Sequence, residues 1–70
     1  MKTPIVNLTK IRQLRKENNI KQIEMAQYLG YKTQTAYSYL ESGKMVMPAE
    51  QLMLIAHRFD VSMESLFLEQ

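Results

Sequence analysis

Glycine falls at only two positions of this chain, Gly30 and Gly43, and proline at only two, Pro4 and Pro48. Each is a natural stop or start for a helix. Glycine enters the left-handed conformation without steric cost, and proline lacks the N–H that a helix interior needs. Between these breaks apolar residues recur at spacings of three and four, and β-branched residues never alternate as a strand requires. The pattern predicts an all-α chain, compact, built from five short helices.

The first helix is expected over Leu8 to Glu17, with Leu8, Ile11 and Leu14 on one apolar stripe, Asn7 as N-cap and Asn18-Asn19 as the stop. The second runs from Gln22 to Leu29, with Ile23, Ala26 and Leu29 inward, Met25 at the edge and Gly30 just past the end. Thr33 caps the third, which reaches Ser42; Ala36, Tyr37 and Leu40 share one face, and Gln34, Thr35, Ser38 and Tyr39 the other. Tyr37 is read as core, with its hydroxyl reaching the surface. The fourth spans Ala49 to Arg58 with Pro48 near its first turn, and Leu52, Ile55, Ala56 and Phe59 form its buried stripe. The fifth is expected over Met63 to Leu68 with Ser62 as N-cap, where Val61, Leu66 and Phe67 complete the core. Met25 and Met53 read as core edge or filler, and His57, the one histidine, as an exposed helix residue.

Seventy residues form one domain at most, and a chain of this size buries only about 60% of the surface it exposes when unfolded. The organisation expected is a short N-terminal arm, residues 1–7, followed by a single domain over 8–70. There is no cysteine, so disulfides and cysteine-ligated zinc are excluded. No apolar run approaches the roughly 20 residues that cross a bilayer. A cytoplasmic protein, with no membrane partner, is expected. The net charge of +2 is unevenly spread, +5 over residues 1–44 and −3 over residues 45–70. Such a split points to one face that meets an anionic partner, although random clustering on a solvated surface is the plainer explanation.

The stretches Ile11-Arg12-Gln13-Leu14-Arg15 and Ile20-Lys21-Gln22-Ile23-Glu24-Met25-Ala26-Gln27-Tyr28-Leu29-Gly30 resemble the opening of phage repressor and Cro-type helix-turn-helix domains, the XRE-like family. Leu40-Glu41-Ser42-Gly43-Lys44 resembles that family's Leu/Ile-Glu-x-Gly-Lys signature, and Leu52…Ile55-Ala56…Phe59-Asp60-Val61-Ser62…Leu66 its closing Leu…Ile-Ala…Leu-Gly-Val-Ser…Leu. Each piece alone is weak; three in the right order carry the likeness across residues 8–68. The resemblance implies a compact five-helix repressor-like fold. Its second helix crosses the DNA backbone and its third enters the major groove, about 12 Å wide.

By that resemblance Gln34 and Thr35 are base-contact candidates, Gln through adenine N6/N7 and the Thr methyl through a thymine methyl. Ser38 and Tyr39, further along the same face, join them. Gln22 is a candidate for a phosphate and, as in the family, for bracing the first residue of the recognition helix, here Gln34. Lys21, Lys32 and Lys44 are candidate phosphate anchors, which position without reading sequence. The plain alternative for all of these is a solvated polar surface. The resemblance also implies a partly buried ion pair between Arg15 and Glu41, structural rather than DNA-contacting.

Two features depart from the family pattern. The turn from Gly30 to Thr33 is one residue longer than in the tightest members, which would tilt the third helix slightly. The loop Met45-Val46-Met47 is apolar where relatives are often basic or polar. With Phe67 and Leu68 it is a candidate dimer surface, the alternative being that the Met side chains fold back over the core. The function expected is sequence-specific binding of double-stranded DNA by a homodimeric transcriptional regulator. The alternative is an antitoxin or other module that keeps the fold to hold a partner protein. No catalytic set or phosphate-binding loop is present, so an enzyme is not expected, nor is a cofactor, a metal or a small-molecule ligand.

Overall fold

A computed structural model describes residues 4–69 of the chain. Four α-helices follow in order, α1 (Leu8–Glu17), α2 (Gln22–Tyr28), α3 (Gln34–Ser42) and α4 (Ala49–Arg58), and then a single 3₁₀ turn over Glu64–Leu66. No strand of more than one bridging residue occurs among the described residues. None of the helices is long and apolar enough to cross a membrane.

Local chemistry explains where each helix starts. Asn7 Oδ1 accepts from Lys10 N at 3.1 Å and caps α1. At α2 the Glu24 carboxylate reaches back to accept from Lys21 N at 3.0 Å. Thr33 Oγ1 accepts from Ala36 N at 3.4 Å and opens α3. Pro48, at φ −64, stands just before α4, and its carbonyl accepts from Gln51 and Leu52.

The ends share one device. Asn19, Gly30 and Asp60 sit at φ +56, +88 and +54, each just past the C-cap residue (Asn18, Leu29 and Phe59) of α1, α2 and α4. In each case the next residue turns its N–H back to a helix carbonyl, Ile20 to Arg15, Tyr31 to Ala26 and Val61 to Ala56. This is the Schellman closure, and it also folds an apolar side chain back against the helix it ends.

The core takes one wholly buried side chain or more from every element: Ile11 from α1, Met25 from α2, Tyr37 and Leu40 from α3, Ile55 from α4 and Leu66 from the 3₁₀ turn. The helix α3 packs on both α1 and α2, and the 3₁₀ turn on α1.

Several expectations are corrected here. The fifth helix is a three-residue 3₁₀ turn, because Phe67 adopts an extended backbone and bridges antiparallel to Val6. Asn7 N donates to Leu66 O at 2.7 Å and Leu68 N to Ile5 O at 2.8 Å, so sheet-like pairing with the arm outcompetes another helical turn. Ser62 still caps, its Oγ accepting from Ser65 N at 3.2 Å. Residues 1–3 of the expected arm, and Gln70 of the expected domain, lie outside the described residues. Met25 is fully buried rather than at an edge, and Ile23 only half-buried. Ala26 and Leu29 are buried as expected, so the inward face of α2 is turned from Ile23 towards Met25. Met53 is exposed, on the outer side of α4, and fills nothing. The Tyr37 hydroxyl does not reach the surface: the residue is wholly buried and its oxygen is closed off from solvent. His57 is exposed.

Candidate nucleic-acid interface

A buried carboxylate organises the polar end of the helix pair. Arg15 Nε and Nη2 donate to Glu41 Oε2 and Oε1, both at 2.9 Å, in a two-pronged pair that joins α1 to the end of α3. Only 3% of the Glu41 side chain and 10% of that of Arg15 are exposed. The third guanidinium nitrogen, Nη1, donates to Ile20 O at 2.9 Å, so the pair also holds the α1 stop in place.

Burial works to raise the Glu41 pKa, but the hydrogen bond and charge of Arg15, with further help from the Gln22 amide, hold the carboxyl below its ordinary value of 4.5. Burial pushes the Tyr37 phenol far above its usual range, and the adjacent Glu41 carboxylate pushes in the same direction. The Tyr37 hydroxyl meets no partner in hydrogen-bonding geometry among the described residues, although it faces the Arg15–Glu41 pair.

From Glu41 the network runs outward. Gln22 Nε2, at the first position of α2, donates to Glu41 Oε1 at 3.3 Å. Gln22 Oε1 in turn accepts from Gln34 Nε2, at the first position of α3, at 3.2 Å. The two amides therefore tie the openings of α2 and α3 to each other and to the buried pair. Arg12, which the sequence reading did not single out, brings its Nε to 3.6 Å from Glu41 Oε1 with 46% of its side chain exposed. Its spacing of three residues from Arg15 on one helix face was the available signal.

The expected readout residues stand as follows. Gln34 and Thr35 are exposed on the first turn of α3, Ser38 is half-buried, and Tyr39 is exposed one turn beyond Thr35. Lys44 Nζ lies 5.2 Å from the Tyr39 ring centroid, close enough for a cation–π contact that holds both side chains at the far end of α3. Lys21 and Lys32 are exposed, and Gln22 is half-buried.

The residues expected at a dimer surface divide. Val46 is 91% exposed, and Met45 and Leu68 are also exposed. Met47 is corrected: only 7% of it is exposed and it packs in the core, so that the last of the three loop residues folds inward. Phe67 is corrected in part, being half-buried against the core and occupied by its bridge to Val6. Beside the loop lies an open apolar groove lined by Ile5, Val6, Leu8, Leu40, Met45 and Val46.

A family model described as helix-turn-helix matches residues 11–66, four-fifths of the chain, and spans every residue of the network above. No match was found among curated proteins.

Proposed function

We propose that this chain, which belongs to the XRE-type helix-turn-helix family of DNA-binding domains, is a sequence-specific transcriptional regulator of the repressor or Cro type, acting as a cytoplasmic homodimer on double-stranded DNA. The reading is carried by the two-sidedness of α3. Tyr37 and Leu40 are wholly buried, while Gln34, Thr35 and Tyr39 stand exposed on the opposite side.

In this reading α3 lies in the major groove with its first turn at the base edges. Gln34 is the principal reader. Its bond to Gln22 leaves the carbonyl and one N–H for adenine, and a side chain already braced loses less entropy on binding. Thr35 offers its methyl to a thymine, and Ser38 and Tyr39 meet the next bases. Gln22, Lys21, Lys32 and Lys44 contact phosphates and set the register.

The dimer uses Met45, Val46 and Leu68 around the apolar groove, with the outer edge of Phe67; a dimer of this kind reads two half-sites about 34–36 Å apart. Selection of bound sites from random DNA tests the reader. Gln34→Ala is expected to change the preferred sequence, and uniform weakening instead would reduce Gln34 to a positioning role.

The nearly bare Val46 also favours a second reading, in which the loop holds a different protein, as in an antitoxin. Sedimentation of the free chain and of its DNA complex separates the two. A dimer in either state supports self-association, and a monomer in both overturns it and leaves the partner-protein reading standing.

A further inference from the structure

Charge around Glu41 does not balance. Both carboxylate oxygens accept from Arg15 at 2.9 Å, and Oε1 accepts from Gln22 as well. Arg12 approaches the same Oε1 only to 3.6 Å, outside hydrogen-bonding distance. Two guanidinium groups therefore face one carboxylate, and Arg15, buried and two-pronged, holds most of it. Arg12 keeps a full surplus charge on a side chain that is nearly half exposed.

Its position gives that charge a use. Among the described residues, the Gln22 side chain links the carboxylate beside Arg12 to Gln34, the first residue of α3. Arg12 thus stands at the polar end of the helix pair, two side chains, Glu41 and Gln22, removed from the proposed reading position. We propose that Arg12 is a backbone-binding residue of the DNA interface. Glu41 steers its Nε and leaves the outer guanidinium nitrogens for a phosphate oxygen, so that one phosphate supplies the missing negative charge. The proposal rests on the DNA reading and extends it to α1. Arginine suits the task better than lysine for geometry, since its fork meets carboxylate on one edge and phosphate on another, while either residue supplies the charge.

Binding to a long random-sequence duplex, titrated over a range of salt concentrations alongside thermal melts, tests this. Each phosphate neutralised contributes about 0.9 to the slope of log affinity against log salt. Arg12→Gln is expected to weaken binding to all sequences alike and to lower the slope by about 0.9 per protomer, so that the affinity loss between about 50 and about 200 mM salt shrinks about 3.5-fold. Arg12→Lys is expected to keep the wild-type slope, and both variants to melt with the wild type. An unchanged slope for Arg12→Gln, with wild-type binding intact, overturns this proposal alone. So does a lowered melting temperature with the slope preserved, which would make Arg12 a structural ion-pair partner. Failure of the wild type to bind the duplex even at low salt overturns the DNA reading and this proposal together.

Discussion

Glu41 accepts from Arg15 through both oxygens and from Gln22 through one, with almost none of its side chain in water. Removing it strands a buried guanidinium, a change that typically costs about 3–5 kcal/mol. Glu41→Ala is therefore expected to lower the thermal midpoint severely before any DNA contact is tested, and a melt matching wild type would refute this. The same carboxyl makes stability depend on acid. Its pKa is lowered by folding, so its contribution is complete above the ordinary value of 4.5 and is lost as pH falls through the lower native value. Melts across that acid range should show stability dropping in wild type and a flatter profile in Glu41→Gln. Tyr37 presents the opposite case. Its ring fills the core, but its hydroxyl is enclosed without a partner in hydrogen-bonding geometry. Tyr37→Phe keeps the ring and removes the unsatisfied group, so stability is expected to hold or to rise by about 1 kcal/mol in denaturant titrations.

At the scale of elements, the helix stops distribute the strain. Asp60 takes φ +54 at a position where the family pattern carries glycine. A left-handed conformation costs an ordinary L-residue about 1–2 kcal/mol and Asp somewhat less, so Asp60→Gly is expected to stabilise by about 0.5–1 kcal/mol. The two glycines differ in kind. At Gly30 an added Cβ would meet nothing within 4 Å, leaving only the cost of φ +88. At Gly43, φ +87, it would come to 3.2 Å from Leu8 Cδ1, where α3 ends against the start of α1. Gly43→Ala is therefore expected to cost more than Gly30→Ala, which a pair of chemical denaturation curves would rank. Extended pairing of Ile5 and Val6 with Phe67 and Leu68 closes the domain where a fifth helix was expected.

For the whole molecule, the charge split of the sequence becomes a geometry: the basic side chains Arg12, Lys21, Lys32 and Lys44 flank the exposed face of the helix pair or lie at its ends. The loop that follows is apolar and neutralises no phosphate. Four cations per protomer predict a modest salt dependence, with a slope of about −3 to −4 per domain. A much steeper slope would mean that other lysines reach the DNA.

Much of this was legible in advance because it is encoded locally. Caps such as Asn7 and Thr33, stops at Asn19 and Gly30, and the apolar spacing of Leu8, Ile11 and Leu14 act over a few residues, so the four α-helices and the two faces of α3 follow from neighbours in the chain. Residues distant in sequence decided the rest. Pairing between Val6 and Phe67 overrode a helical pattern, packing chose Met25 over Ile23 and drew Met47 inward, and Glu41 gathered Arg12, Arg15 and Gln22 from two other helices. Periodicity says which residues share a face, but only the meeting of faces sets which side chain is central and which charge is left without a partner.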